Sequence, residues 1–540
     1  MEKIYYNGKI LTMAYTNGQE ELQQTPEAVL VRDGKIAGLG KVCRLLETAP
    51  DAVKCDLGGK CLMPSFIDAH SHFVMNGQMA LCADLSGCSS YGDIIRTLKE
   101  YIEEQGLEEG QAVLGFGYDH NFLKEGGQPD KNVLDQVSTK IPILILHISA
   151  HLACANSAAL ALANITASTP NPAGGVIGRL PGGMEPNGYL EEAGLQILQK
   201  ALMPFVKVDP AKMMEQMQQV YLENGITTAQ DGASSEKEIQ MLIRMSEAHT
   251  LVMDVVAYPM MTAHGQKMMS EYGRLYGRYE NHVKIGGYKL VLDGSPQGRS
   301  AWLTEPYLNG EEGYCGYPWM KDEEVERYIQ CAVSEHRQIL AHCNGDAASG
   351  QFINAYEKAL KSTGIKEDLR PVMIHCQTVR DDQLDRMSRL NMIASVFVGH
   401  VWYWGDVHKR NLGEKRGNHI SPVKDALDRN IHVNFHQDTP VTKPDMLHSV
   451  WCAVNRLSRS GGIIGADQRI SVYEALRCVT IEAAYEYFEE DSKGSIEIGK
   501  RADLIILDRS PMETEPMRIR EIKVLETIKD GETVFSASSF

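Results

Sequence analysis

The stretch Phe66-Ile67-Asp68-Ala69-His70-Ser71-His72 decides how this chain of 540 residues is read. It completes the strand-like apolar run Cys61 to Asp68. On a strand, side chains two apart share a face, so His70 and His72 present two imidazoles side by side at the strand's C-terminal end. That is a metal-ligating geometry. A single His-x-His pair reads more simply as two unconnected polar residues, but the theme recurs downstream. His342 ends Gln338-Ile-Leu-Ala-His342, and His375 ends Val372-Met-Ile-His375. Lys289 lies inside Ile285-Gly-Gly-Tyr-Lys-Leu-Val-Leu292, and Asp438 follows Val433-Asn-Phe-His-Gln437. Each is an ionisable residue in or at the end of a strand-like run, where barrel enzymes place catalytic groups.

Working outward, the apolar runs that read as buried parallel strands are Cys61 to Asp68, Ile143 to Ser149, Ile226 to Gln230, Leu251 to Ala257, Val283 to Leu292, Gln338 to His342, Val372 to Cys376, Met392 to Val398 and Ile431 to His436. Helical patterns such as Ala211 to Leu222 and Asp381 to Leu390 separate most of them, which predicts an α/β fold of (β/α)8 barrel type. A closed barrel takes eight strands, and Ile143 to Ser149 is the run left out. The gap from His72 to Ile226 is too long for a βα connection, so residues 73–224 are expected to be an insertion after strand 1. Within it, Thr169 to Gly188 is dense in Gly and Pro and reads as loop or hairpin. Both ends of the chain alternate in β fashion around Asn7-Gly8, Asp33-Gly34 and Asp530-Gly531, pairs that favour hairpins. Residues 1–60 and 490–540 are therefore expected to form one composite β-sandwich, and residues 61–489 the barrel with its insertion.

Composition narrows the partners. Lys plus Arg total 54 against 71 for Asp plus Glu, and the net charge of −17 repels phosphate backbones and anionic lipid surfaces, so no nucleic acid is expected. Runs such as Ile141 to Ile148 and Val252 to Met261 fall short of the ~20 residues that cross a bilayer, so no membrane span is expected. No apolar segment follows a basic start at the N-terminus, and the 12 cysteines contain no C-x-x-C pair. They read as reduced thiols in a cytoplasmic protein.

With the insertion run set aside, His70 and His72 fall on strand 1, Lys289 on strand 4, His342 on 5, His375 on 6 and Asp438 on 8. This arrangement resembles the amidohydrolase superfamily, and within it the group that includes N-substituted formamide deformylase and the YtcJ-like proteins. The resemblance runs along nearly the whole chain. It includes Met63 to His72, His151 with Asn156-Ser157, Gly188 to Glu192, Lys289 to Ala301, His342 to Asp346, Asp438 to Val441 and Gly494 to Leu504. Two departures are Pro64-Ser65-Phe66 in place of Pro-Gly-Phe, and His436-Gln437 where Gly-Ser is common. The second alters the pocket wall beside Asp438.

The resemblance implies that His70, His72, Lys289, His342, His375 and Asp438 hold one or two divalent metals. Three histidines and a carboxylate suit zinc, with iron and manganese as alternatives. Such an ion lowers the pKa of its water from about 15.7 towards ~7 and so supplies a nucleophile for amide hydrolysis. Lys289 cannot ligate as an ammonium. Buried beside cations it is expected to deprotonate and take up carbon dioxide, giving the bridging carbamate that members of the superfamily carry; the simpler alternative is an ion pair with Asp293 or another acid. Asp438 is expected to serve both as ligand and as general base.

Tyr118, His151, Arg299, His400 and Trp404 are candidates for substrate contact. His400 to His408 are expected as an aromatic loop after strand 7, forming an apolar pocket or a packed lid, and Lys409, Arg410, Lys415 and Arg416 as a solvated loop. His147 is expected to pack within the insertion, Asp346 either to orient His342 or to cap the next helix, and Cys343 and Cys376 to point away from the metals. The expected activity is hydrolysis of a carbon–nitrogen bond, such as an N-formyl or N-acyl amide, in a small organic molecule by a homo-oligomeric enzyme. A deaminase or cyclic-amide hydrolase on the same site, and a non-catalytic binding protein of the same fold, are the alternatives.

Overall fold

The computed structural model describes residues 2–14, 18–79, 81–172, 174–207 and 210–537. They divide into two compact units, Met1–Val74 with Gln218–Phe540, and Met75–Met217.

The first unit contains two parallel sheets. One orders Phe66–Ile67, Ile226–Ser234, Asp254–Pro259 and Val283–Ile285 as neighbours; the other orders Gly287–Val291, Gln338–Cys343, Val372–His375, Ile393–Val396 and Val433–Phe435. Helices such as Glu236–Glu247, Asp322–Ser334, Asp346–Thr363 and Asp381–Arg389 alternate with the strands. Both faces of these strands are covered, which is why they read as unbroken apolar runs rather than alternating ones.

Two runs expected as single strands are each divided. Cys61–Pro64 pairs antiparallel with Leu504–Leu507, whereas Phe66–Ile67 pairs with Ile226–Ser234. The chain changes partner at Ser65, whose N–H donates to Asp503 O while that of Phe66 donates to Gly225 O. Pro64 marks the switch because it has no N–H to continue a ladder. The run Val283 to Leu292 breaks at Gly286, where a Cβ would lie 2.4 Å from the Tyr258 hydroxyl. Backbone contacts bridge the two parallel sheets: Met260 pairs with Lys289, and His72 N–H donates to Thr439 O at 2.7 Å.

The chain termini supply two further sheets, one ordered Lys35–Gly40, Ala28–Arg32, Glu2–Tyr6, Val53–Asp56 and the other Lys9–Ile10, Cys61–Pro64, Leu504–Leu507, Val524–Lys529, Glu532–Ser536. Their buried residues Val29, Val31, Leu62, Leu504, Ile506 and Ile528 form one cluster. Asp33-Gly34 and Asp530-Gly531 close hairpins with both central residues at positive φ, the turn that matches strand twist. Asn7-Gly8 does not: it passes the chain from one sheet to the other, and a Cβ on Gly8 would meet Lys60 O at 2.4 Å.

The segment expected as an aromatic loop is a helix, His400–Asn418, interrupted at Gly413 (φ 81°). Its buried residues Val401, Trp404, His408 and Leu412 recur at the helical spacing, so Lys409, Arg410, Lys415 and Arg416 also stand on this helix.

The second unit is built on a mixed sheet ordered Gly175–Arg179, Pro186–Glu192, Leu152–Ala155, Ile143–His147, Val113–Tyr118 and Ala83–Asp84. Along Ile143–His147 the residues alternate between two cores, Leu144 and Leu146 in one and Ile143 and Ile145 in the other. The Gly- and Pro-rich segment forms the antiparallel pair Gly175–Arg179 and Pro186–Glu192. Among the described residues no helix is long and apolar enough to cross a membrane.

Candidate metal centre

His70 and His72 leave the strand Phe66–Ile67 with their ring centroids 5.2 Å apart. Both aim Nε2 at Asp438 Oδ1, at 3.4 and 3.3 Å. Asp438 follows the strand Val433–Phe435 in a left-handed conformation (φ 54°). His375 Nε2 lies 4.0 Å from Asp438 Oδ2, the His342 ring packs edge-on to His375 at 4.4 Å between centroids, and Lys289 Nζ lies 3.4 Å from His70 Nε2. The structure thus brings the ligand atoms of His70, His72 and Asp438 within ligating range of one another, with Lys289 and His375 beside them, while His342 packs on His375 and its Nε2 faces Asn344 Nδ2 at 3.3 Å.

What orients the rings comes from other strands. His70 Nδ1 is 2.6 Å from Gln230 Oε1, and the Gln230 amide is itself fixed by donating to Ala69 O at 2.6 Å and to Glu486 Oε1 at 3.2 Å. His72 Nδ1 donates to the Gly232 carbonyl at 2.6 Å. His342 Nδ1 faces Asp293 Oδ1 at 3.1 Å. His375 Nδ1 is 3.1 Å from His436 Nε2, and His436 Nδ1 is 3.0 Å from Ser395 Oγ. An acceptor behind Nδ1 holds the ring proton there and leaves Nε2 as a lone pair facing the centre. Gln230, Gly232 and Asp293 supply such acceptors, and none was legible as a site residue.

For two acids the structure excludes one of the alternatives held open. Asp346 does not orient His342; it accepts from Thr304 N–H at 2.9 Å and from Arg380 at 2.8 Å, in the first turn of a helix whose N-cap is Gly345. Asp293 does not pair with Lys289. Its carboxylate is taken up by His342 and by the N–H groups of Trp302, Asn344 and Gly345.

The electrostatics suit a cation. Burial pulls Lys289 down to about 8 against the attraction of Asp438. Burial, reinforced by Lys289, holds His70 well below the usual histidine range, and burial with His342 does the same to His375. Burial also works to lower His72, but the Asp438 carboxylate beside its Nε2 raises it. For Asp438 burial works upward, yet His375 and His72 hold the carboxyl well below the usual range. Asp438 Oδ1 is buried without a hydrogen-bond partner, although imidazole nitrogens surround it. An ionised carboxylate oxygen left in this way, with the His70 and His72 Nε2 atoms turned towards it, fits a divalent ion. Beneath the centre, burial raises Glu486 to about 8, opposed by its bond from Asn434.

Arg299 is exposed (φ 60°) and its guanidinium donates to Asn309 O. His400 and Trp404 are buried on the helix His400–Asn418, where Phe397, His400 and Trp404 pack ring to ring and His400 Nδ1 meets His408 Nε2 at 3.0 Å. Phe397 in turn contacts His375, with centroids 6.4 Å apart. Tyr118 and His151 belong to the second unit, Tyr118 donating to Gln128 Oε1 at 2.8 Å and His151 Nδ1 facing Glu192 Oε1 at 2.9 Å. Cys343 is buried with Sγ towards Ala348 O, and burial pushes Cys376 up to about 12.

Comparison with known proteins agrees with this chemistry. YtcJ from Bacillus subtilis (strain 168) is 28% identical over 565 residues, covering 100% of each chain. The N-substituted formamide deformylase of Arthrobacter pascens is 28% identical, with 94% of both chains covered. The crystal structure of an uncharacterized metal-dependent hydrolase from Pyrococcus horikoshii OT3 superposes with a TM-score of 0.76 at 25% identity, covering 96% of this chain and 99% of that one. A model of the amidohydrolase family matches residues 55–535. The chain therefore belongs to the amidohydrolase family and is an enzyme of the carbon–nitrogen hydrolase class.

Proposed function

We propose that this protein hydrolyses an amide carbon–nitrogen bond, of the N-formyl or N-acyl type, in a small organic molecule, with Asp438 as general base. In this reading the two parallel sheets are parts of one (β/α)8 barrel, the terminal sheets form a composite β-sandwich, and the second unit is an insertion after strand 1. The observation that carries it is the convergence of His70, His72 and His375 on Asp438, with His342 packed against His375. His70, His72, His342, His375 and Asp438 would hold the metal, and the donor set favours zinc. When bound, such an ion supplies Lewis acidity that acidifies water and polarises a carbonyl.

The residues of the chain do the rest. Asp438 accepts the proton of the attacking water and passes it to the departing nitrogen. Gln230, Gly232 and Asp293 keep the imidazole protons on the outer nitrogens. Lys289 forms no ion pair among the described residues, and a neutral Nζ could add to carbon dioxide: the N–C bond would form as one C=O π bond opens, one N–H proton would pass to solvent, and the anionic carbamate would be able to help hold the metal.

The test is metal analysis of the purified protein followed by assay against N-formyl and N-acyl amines. One or two divalent ions per chain with release of formate or another carboxylate is the expected outcome. Release of ammonia without a carboxylate product would replace the amide reading with a deaminase, and a metal-free, inactive protein would overturn both.

A further inference from the structure

The second unit carries a cluster of ligand-type side chains of its own. Asp119 and His120 directly follow the strand Val113–Tyr118, and His147 ends the parallel neighbour Ile143–His147. The register shifts between Leu146 and His147, so that Leu146 faces Phe116 but His147 faces Tyr118; Gly117, at φ 101°, is passed over. A bulge of this kind turns a strand end and re-aims the side chains beyond it. Here it points Asp119 and His120 at His147. His120 Nδ1 lies 3.2 Å from His147 Nε2, and Asp119 Oδ1 lies 3.4 Å from His147 Nε2 and 3.9 Å from His120 Nδ1.

We propose that Asp119 Oδ1, His120 Nδ1 and His147 Nε2 bind one divalent transition-metal ion, zinc by the nature of the donors, with a fourth position left to water. Zinc–ligand bonds of ~2.0–2.1 Å in a tetrahedron place neighbouring donor atoms roughly 3.3–3.4 Å apart. Two of the three separations are already at that value, and the third closes with a small rotation of the part-exposed His120. Asp119 is fixed by Asn121, whose backbone N–H and side-chain amide both donate to Oδ1 at 2.9 Å. His147 Nδ1 faces Ser149 Oγ at 2.9 Å and the Ser149 N–H at 3.1 Å. Without metal the N–H donates to Nδ1 and the ring proton sits on Nε2. With metal the proton moves to Nδ1 and donates to the hydroxyl oxygen, Nε2 is freed, and the Ser149 N–H, which then loses its acceptor, must turn away from the ring. Entry is through His120, whose side chain is 27% exposed, while those of Asp119 and His147 are 5% and 2% exposed. The ion would tie together the ends of two strands just beyond the point where the bulge interrupts their pairing.

The experiment strips the full-length protein with a chelator, titrates it with zinc, and counts bound metal by elemental analysis. His120→Asn and His147→Gln are each expected to bind one equivalent fewer than the unaltered protein, or to bind it at least tenfold more weakly. His70→Asn with His72→Asn is expected to keep that equivalent and to melt at a higher temperature when zinc is added, a shift that disappears when His120→Asn is combined with them. His120→Asn at its part-exposed position, checked by circular dichroism, guards against misfolding at the buried His147. Unchanged stoichiometry and affinity in His120→Asn and His147→Gln would overturn the proposal and leave a hydrogen-bonded cluster. Unchanged stoichiometry in the His70 and His72 variant alone would count instead against the functional reading above.

Discussion

Gly232 is the position at which a single methyl group tests the architecture of the proposed centre. Its carbonyl holds His72 Nδ1 at 2.6 Å, and its Cα lies against the His70 ring. A Cβ built there would stand 2.6 Å from His70 Cε1 and 2.9 Å from both His70 Nδ1 and Gln230 Oε1. The backbone is not left-handed at this residue, so alanine meets no conformational penalty and the contact is the whole effect. To recover an ordinary 3.4 Å separation the His70 ring must retreat by about 0.8 Å, and it must do so against its hydrogen bond to Gln230. A misplacement of about 1 Å in a catalytic constellation costs on the order of 100-fold in rate. Gly232→Ala is therefore expected to lower kcat/KM about 100-fold and to weaken metal binding, while overpacking costs about 1–3 kcal/mol of stability. Steady-state kinetics on the active N-formyl or N-acyl substrate, zinc titration and thermal denaturation measure these separately. A variant with unaltered turnover and zinc affinity would show that His70 is not a ligand held in this orientation, and the reasoning would fail.

Other expectations follow from single contacts. Asp438→Asn should keep the fold, judged by circular dichroism, and lose about 10²- to 10⁴-fold in kcat, the usual worth of a general base; near-normal turnover would remove Asp438 from that role. Asp254 is buried with Lys493 and Lys529 at 2.6 and 2.9 Å and His282 at 2.8 Å, and Asp254→Asn, which leaves Lys493 with Glu489 and Lys529 with Asp503 as their remaining acids, should cost about 1–3 kcal/mol in urea denaturation. Burial works to raise the Asp254 carboxyl, but the two lysines hold it well below the usual range. Its stabilisation is thus complete above the unfolded value of about 4 and lost as pH falls further towards the folded value, so the acid-induced loss below about pH 4 should be shallower in Asp254→Asn than in the unaltered protein. Among the cysteines, exposed Cys43 should react first with a disulfide reagent in the native state, whereas Cys61, Cys82 and Cys154, buried and pushed up to about 12, should react only on unfolding; equal labelling rates would contradict the packing.

The residues at the centre were legible because an ionisable group ending an apolar run is a local pattern. His342 and His375 announce themselves within five residues of sequence, and of the six residues singled out, His70, His72 and Asp438 form the ligating group. Errors arose where local pattern and tertiary partner part company. Cys61 to Asp68 looks like one strand, but its halves pair with Leu504–Leu507 and Ile226–Ser234. Val283 to Leu292 breaks at Gly286, where Tyr258 leaves no room for a side chain. In His400–Asn418 the aromatic cluster Trp402-Tyr403-Trp404 hid the helical spacing of Val401, Trp404, His408 and Leu412.

By itself the sequence determined which side chains could donate to a metal and that they stand in or at the ends of buried strands, since burial periodicity and residue chemistry are properties of neighbouring residues. Only the tertiary structure decided which nitrogen of each ring faces the centre. That choice rests on Gln230 and Gly232, 160 positions from His70 and His72, and on Asp293, 49 positions from His342. A ring proton goes to whichever nitrogen finds an acceptor, and those acceptors come from strands that are adjacent in space but distant in sequence.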